Sequence, residues 1–245
     1  MARKGQITTY MIIGIIILAI ALTIFYLLRP AEQEIKQTVQ LSQEAQTVKK
    51  FIDSCLDMTA KGGTLFLASQ GGYFYPPENF LKTNYSNIPY YYLKGNSSAV
   101  SEDQLNQNLK DFIEEAVPRC AKTVLKDYDA TEGITNATIT MDDEQISIKL
   151  IYPITLNFGE RQETMREFEG TYNIRIETLR RTAEQLTQEI SKEPQLTPIT
   201  YMLQKERESQ VRIVAYERGN DTRIYAIVDN QSINAPMLYV FAAKT

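Results

Sequence analysis

The densest acidic cluster is Asp142-Asp143-Glu144, and carboxylates grouped in this way could bind a metal ion. The triplet also separates two stretches in which apolar and polar residues alternate, a position typical of a hairpin turn. The chain has no histidine, which removes the commonest metal ligand and the commonest general base near neutral pH. No nucleophile elbow, phosphate-binding loop or dinucleotide fingerprint occurs. We therefore expect a turn at the triplet, no metal, no cofactor, no catalytic residue and no enzyme activity.

The two cysteines, Cys55 and Cys120, each fall on the apolar stripe of a predicted helix. Helices that bury these stripes in one core would bring the thiols together, and an extracytoplasmic compartment would oxidise them. We expect a disulfide, and two buried free thiols are the alternative. A catalytic cysteine is not expected, because no histidine can activate it.

Aromatic residues are dense between Tyr73 and Tyr92. Tyrosine offers a large contact area with a polar tip, which is typical of binding surfaces. The alternative is that the rings fill the core. We expect a contact surface for a protein or glycan partner, formed by Tyr73, Phe74, Tyr75, Tyr90, Tyr91 and Tyr92.

The N-terminus predicts a membrane anchor. A basic start (residues 1–7) precedes an apolar stretch (residues 8–28), and a helix of about 20 such residues spans a bilayer. Tyr10 and Tyr26 lie near its two ends, where interfacial aromatic rings are favoured. The stretch is longer than the apolar core of a cleaved secretory signal. A retained single-pass helix in the lipid bilayer is therefore expected.

The basic start favours a cytoplasmic N-terminus and an extracytoplasmic C-terminal domain in the cell membrane. Asn-x-Ser/Thr sequons are frequent and favour a glycosylated surface. The formal net charge of −4 argues against a nucleic-acid partner. The candidate glycosylation sites are Asn84, Asn96, Asn136, Asn220 and Asn230.

The elements that position these residues predict an α+β fold. The transmembrane helix continues into a long helix to about Gln70, which Gly62-Gly63 would interrupt and Gly71-Gly72 would end. An irregular segment (71–100) precedes a second, disulfide-linked helix that Ser101 caps and that runs to about Leu125. The remaining predictions are a β-meander (137–141, 145–158, 164–176), helices at 177–192 and 197–206, and C-terminal hairpin strands (211–216, 223–228, 237–241).

The sequence also predicts a strand irregularity, an exposed helix face and the division of the chain into regions. Pro153 predicts an edge strand or a bulge. Arg180, Arg181, Glu184 and Glu189 predict a solvated helix face. The expected regions are a helical stalk with the aromatic loop (29–130) and an α+β extracytoplasmic region (131–245).

Two resemblances add to these predictions. Arg3-Lys4-Gly5-Gln6 and the apolar helix after it resemble the archaeal class III signals of type IV pilins and archaellins. This likeness implies cleavage between Gly5 and Gln6 and packing of the helix in a filament. The chain also resembles uncharacterised N-terminally membrane-anchored surface proteins of small-genome archaea, and this likeness implies no activity. The second resemblance rests on Lys4-Gly5-Gln6, Cys55-Leu56, Gln70-Gly71-Gly72-Tyr73, Ile88-Pro89-Tyr90-Tyr91 and Cys120.

We therefore expect a single-pass, extracytoplasmic protein that acts in cell-surface binding or structural assembly. One alternative is a pilin-like subunit processed after Gly5, which would form homo-oligomers or filaments. The other is an extracytoplasmic enzyme that uses carboxylates.

Overall fold

The computed structural model describes residues 41–84, 86–219, 221–232 and 236–245. The predicted basic start, transmembrane helix, Gly5-Gln6 processing site and first part of the stalk lie outside these residues, as does Asn220. Among the residues that are described, no helix is long and apolar enough to cross a membrane.

The described chain is α+β, with four helices and ten strands in the ranges given above. The helices are α1 (Gln43–Ser69), α2 (Glu102–Leu125), α3 (Ile176–Lys192) and α4 (Ile199–Ser209). The strands are β1 (Phe80–Lys82), β2 (Asn87–Leu93), β3 (Asn96–Ser97), β4 (Ala130–Glu132), β5 (Asn136–Met141), β6 (Ile146–Phe158), β7 (Arg161–Tyr172), β8 (Val211–Arg218), β9 (Thr222–Asp229) and β10 (Met237–Lys244).

Helix α1 passes through Gly62 and Gly63 without a break, so the predicted interruption is wrong. Gly63 lies against α2, where an added Cβ would sit 2.6 Å from the Phe112 ring. A glycine is present here because two helices approach closely, and the helix continues because its neighbours supply packing energy. The predicted end at Gly71-Gly72 is confirmed, since both have positive φ and Gly72 N donates to Leu67 O at 2.7 Å.

Helix α2 begins where the capping pattern predicts. The Ser101 hydroxyl accepts a hydrogen bond from Gln104 N at 3.2 Å, and the helix ends at Leu125. Cys55 of α1 and Cys120 of α2 form a disulfide, as expected. The bridge joins the two helices of one layer, and Cys55 is fully buried.

The predicted β-meander is confirmed as an antiparallel sheet in which β6 lies between β7 on one side and β4 and β5 on the other. Pro153 marks a bulge rather than an edge, because the β6–β7 register shifts between Ile151 and Ile154. The acidic triplet forms the β5–β6 turn, as predicted. There the Asp142 carboxylate accepts hydrogen bonds from Glu144 N and Gln145 N, which lowers the pKa of Asp142.

The second sheet has the strand order β1-β2-β10-β9-β8, with β3 paired to β2. The segment 71–100 is therefore not irregular throughout, since it supplies three of these strands. Strand β2 pairs with β10 in parallel, and the other pairs of this sheet are antiparallel. The predicted hairpin of β8 and β9 is confirmed by the register, which joins Arg218 to Thr222.

One continuous core holds both sheets and the helices together. Helices α1 and α2 pack on the β4–β7 sheet, and α3 packs on β10, β9 and β2. Residues 41–245 form one compact unit, so the helices of the predicted 29–130 region and the strands of the 131–245 region share a core.

Candidate binding surface

Three residues of the expected aromatic surface lie inside the protein. Tyr91 is fully buried, Tyr92 is 5% exposed and Tyr73 is 9% exposed. Tyr91 lies on the inner face of β2, an interior strand of its sheet, and meets the core beneath α3. These three rings contribute packing energy rather than a contact surface, which corrects the expectation for them.

The Tyr91 side chain belongs to a buried aromatic stack. Its ring lies 4.7 Å from that of Phe241, and the Phe241 ring lies 5.4 Å from that of Tyr225. Burial raises the pKa of Tyr91 and that of Tyr239 well above the ordinary tyrosine value. Both hydroxyls therefore stay protonated over the ordinary pH range and act as neutral hydrogen-bonding groups.

Two other predicted residues form a small cluster at the end of α1. Tyr75 is 70% exposed, and the half-buried Phe74 ring lies 4.5 Å from it. Phe74 also packs edge-on against Phe112 at 5.1 Å and against Phe66 at 6.1 Å. Phe74 therefore mainly covers the helix pair, and Tyr75 is the ring of this cluster that is most open to solvent.

Tyr90 points to the opposite side of the sheet from Tyr91 and joins a larger apolar surface. Cross-strand neighbours in a sheet share a face, and residues two apart along a strand do too. Three rows of neighbours cross β8, β9 and β10, and Tyr90 of β2 extends the third row through Ala242. The rows are Arg212–Val228–Leu238, Val214–Ala226–Val240 and Tyr216–Ile224–Ala242.

We call the apolar residues of these rows the outer sheet face: Tyr90, Val214, Tyr216, Ile224, Ala226, Val228, Leu238, Val240 and Ala242. Tyr216 is 59% exposed and Leu238 is 47% exposed, and the others, except the buried Ala242, are half-buried. On the inner face of the same strands, Tyr225, Ile227 and Phe241 are fully buried. The sheet thus has one face in the core and one apolar face that retains contact with solvent, which makes the outer sheet face a candidate binding surface.

Cations border the outer sheet face. Arg212 and Arg218 are exposed at the two ends of β8, and Lys244 lies across from Thr222 at the end of β10. Lys244 pairs with Asp221 of the turn at 3.2 Å, whereas Arg212 and Arg218 form no ion pair within the described residues. On β8, β9 and β10 no outward position carries a carboxylate. The border is therefore positive, although the whole chain is acidic.

A polar groove lies between α3, α4 and the β5–β6 turn, with a cavity volume of about 260 Å³. Its cations are already paired: Arg175 with Asp229 at 3.0 Å, Lys205 with Glu208 at 3.1 Å, and Arg181 with Asp143. Arg175 also donates to Ser209 O at 2.9 Å, which ties α4 to α3. Each of these cations in the groove is thus neutralised by a carboxylate of the same chain. The contacts hold neighbouring elements together, so they have a structural role.

Arg180 does not lie on a solvated helix face, which corrects the prediction for that residue. It is 6% exposed and donates two hydrogen bonds to the Glu177 carboxylate, at 2.7 and 2.8 Å. The hydrogen bonds that Arg180 donates to the Glu177 carboxylate raise the pKa of Arg180. Arg180 also donates to Val100 O, so it joins α3 to the segment before α2.

Within the described residues, no group of three acidic or cysteine side chains is placed to hold a metal ion.

The sequons that the structure describes are all exposed: Asn84, Asn96, Asn136 and Asn230. Asn230 directly follows β9, near the border of the outer sheet face. Exposure is what attachment of a glycan requires, and it leaves the prediction of glycosylation untested.

The outer sheet face was not among the sequence predictions, although one signal for it was present. Strand β8 carries apolar side chains on both faces, with Val211 and Ile213 inward and Val214 and Tyr216 outward. Such a pattern normally indicates burial on both sides.

A scan against protein-family models, a search of curated proteins and a search of solved structures each find no match to this chain.

Proposed function

We propose that this chain is a single-pass, membrane-anchored extracytoplasmic protein that binds another protein through its outer sheet face and catalyses no reaction. The observation that carries the proposal is the apolar, solvent-contacting face of β8, β9 and β10. Monomeric proteins rarely expose a contiguous apolar patch of this kind without a partner.

The anchor and its orientation rest on the sequence. Residues 8–28 have the length and apolar character of a membrane span, and Arg3 and Lys4 favour a cytoplasmic N-terminus. The Cys55–Cys120 disulfide supports an oxidising compartment for the domain. The exposed sequons agree with the same side of the membrane.

The choice of binding over catalysis rests on how the polar side chains are used. The buried ionic groups, such as Arg175 with Asp229 and Arg180 with Glu177, connect helices to strands and to neighbouring segments. Their hydrogen bonds are directed at the protein itself. Of the six aromatic residues predicted to form a contact surface, Tyr90 belongs to the outer sheet face, and Tyr75 is exposed elsewhere.

Cysteine labelling in native membranes tests the proposal. Both native cysteines are in the disulfide, so Leu238→Cys adds a single reactive thiol. Leu203→Cys on α4 is a matched control, since Leu203 is 50% exposed and Leu238 is 47% exposed. We expect maleimide to label Leu238→Cys several-fold more slowly in native membranes than in the purified chain, and Leu203→Cys equally in both. Equal labelling of Leu238→Cys in the two preparations would exclude the outer sheet face as a contact surface.

A second candidate function is a pilin-like filament subunit, which the Arg3-Lys4-Gly5-Gln6 motif favours. In that case the mature chain would begin at Gln6. N-terminal sequencing and intact mass of the protein from native membranes separate the two candidates, because a simple tethered protein retains residues 1–5.

A further inference from the structure

We infer that the outer sheet face binds a partner protein through an apolar helix whose exposed stripe is flanked by carboxylates. This inference rests on the proposed function and adds the chemistry of the partner. It follows from the dimensions of the face, the sign of its border and the polar turns beside it.

The dimensions suit a helix. Neighbouring strands lie about 4.8 Å apart and outward residues along one strand about 7 Å apart, so three rows on three strands span about 14 Å along the strands and about 10 Å across them. About three turns of an α-helix cover the longer dimension, and the width of one helix, about 10 Å, covers the shorter one. Small side chains such as Ala226 and Val240 lie in the middle, while Tyr216 and Leu238 stand at opposite corners. A helix with apolar residues at i, i+3, i+4 and i+7 can lie between these two corners.

The border charge selects an acidic partner. Arg212 and Arg218 stand at the two ends of β8 on the outward side, about 20 Å apart by strand geometry. Carboxylates that flank an apolar stripe would meet these guanidinium groups at the edge of the interface, where they set specificity and the association rate.

The same charges disfavour a second copy of this chain as the occupant. In two outer sheet faces packed about a two-fold axis, β8 of one copy lies over β8 or over β10 of the other. Arg218 then faces Arg212 in the first arrangement and Lys244 in the second. The outward positions of β8, β9 and β10 offer no carboxylate to pair with them. Like charges placed together across an interface lower affinity.

The turns beside the face favour a protein over the bilayer. The turns that flank the face carry Asp221 and Asn230, which are polar groups rather than membrane-inserting side chains.

Peptide binding to the full chain tests the inference. The chain is placed in nanodiscs of zwitterionic phosphatidylcholine, and fluorescence anisotropy follows a labelled helical peptide with a leucine stripe flanked by glutamates. A matched peptide has lysines in place of the glutamates. We expect the glutamate peptide to bind about tenfold more tightly than the lysine peptide. The double variant Arg212→Glu/Arg218→Glu should reverse this preference, and Leu238→Ser should weaken binding of both peptides.

Three results would overturn the inference. Equal binding of the two peptides, or no binding of either, would remove the acidic helix as the occupant. Loss of peptide binding when the nanodiscs contain anionic phosphatidylglycerol would point to a lipid surface. Dimers of the detergent-solubilised chain that Leu238→Ser dissociates, seen by sedimentation velocity, would point to a second copy. If Leu238→Cys is protected in native membranes but the peptides show no charge preference, the proposed function stands and the acidic-helix inference fails.

Discussion

The hydroxyl oxygens of Tyr91 and Tyr239 lie 2.7 Å apart in the fully buried core. Tyr91 donates its proton to Gly71 O at 2.8 Å, so Tyr239 is the donor in the tyrosine pair. The two residues are 148 positions apart in the chain and stand on β2 and β10. This chain of hydrogen bonds links the end of α1 to the parallel pair of strands β2 and β10.

The direction of these hydrogen bonds predicts an asymmetry between two phenylalanine variants. Tyr91→Phe leaves both Gly71 O and the Tyr239 hydroxyl without a partner, and should lower the free energy of unfolding by about 2–3 kcal/mol. Tyr239→Phe keeps the bond from Tyr91 to Gly71 and should cost about 1 kcal/mol. Urea denaturation of the two variants measures the difference. Equal costs would show that the two hydroxyls are not ordered in this way.

The adjacent glycines of α1 should respond in opposite directions to alanine. Gly62→Ala meets no atom within 4 Å and should stabilise the protein by about 0.5–1 kcal/mol, because alanine favours a helix. Gly63→Ala places a methyl group 2.6 Å from the Phe112 ring and should destabilise it by about 1–3 kcal/mol. Thermal unfolding of both variants makes the comparison. A stabilising Gly63→Ala would mean that α1 and α2 are less closely packed than described.

The disulfide should stabilise the domain only under oxidising conditions. Cys55 and Cys120 are 65 positions apart, and closing a loop of that size is worth about 4 kcal/mol in the chain-entropy model. We expect Cys55→Ser and Cys120→Ser each to lower the unfolding midpoint of the oxidised protein and to match the wild type after reduction. An equal loss in the presence of reductant would attribute the effect to packing instead.

Glu163 should make the domain sensitive to acid. Ser42 donates to the Glu163 carboxylate through its backbone N at 2.8 Å and its hydroxyl at 2.9 Å, and these bonds lower the pKa of Glu163. A carboxyl with a lowered folded-state pKa stabilises the protein above its unfolded pKa of about 4.3. That stability is lost as the pH falls through the folded-state value.

The variant Glu163→Gln should therefore be less stable than the wild type at pH 7 and lose less stability between pH 6 and pH 3. The exposed Glu160→Gln is the control and should follow the wild-type curve. Parallel curves for Glu163→Gln and the wild type, from chemical denaturation at each pH, would contradict the prediction.

Local signals predicted much of the fold. The Ser101 cap, the paired glycines after α1 and the alternation in β5, β6 and β7 are all encoded within a few residues. The disulfide was predictable because both cysteines lie on apolar stripes of helices. The cap, the helix end, the alternation and the stripe around each cysteine all depend on neighbours in the sequence, so the local pattern predicts them.

The remaining features depend on distant parts of the chain. Strand β2 contains Pro89 and lies among glycines and asparagines, so its parallel pairing with β10 leaves little local trace. Tyr91 and Tyr90 are adjacent and alike in type, yet one is in the core and the other on the outer sheet face. Glu177 and Arg180 have the spacing of a surface ion pair, and tertiary packing buries them. The solvent contact of the outer sheet face was not predictable either, since a strand with two apolar faces predicts burial on both.

The most direct test of the binding surface is site-specific photocrosslinking in native membranes. A benzophenone side chain replaces Leu238 in one variant and Leu203, of similar exposure, in the other. The account predicts a discrete protein adduct from position 238 that is absent at position 203 and is lost when Arg212→Glu and Arg218→Glu are added. Adducts to lipid alone, or equal protein adducts from both positions, would contradict it.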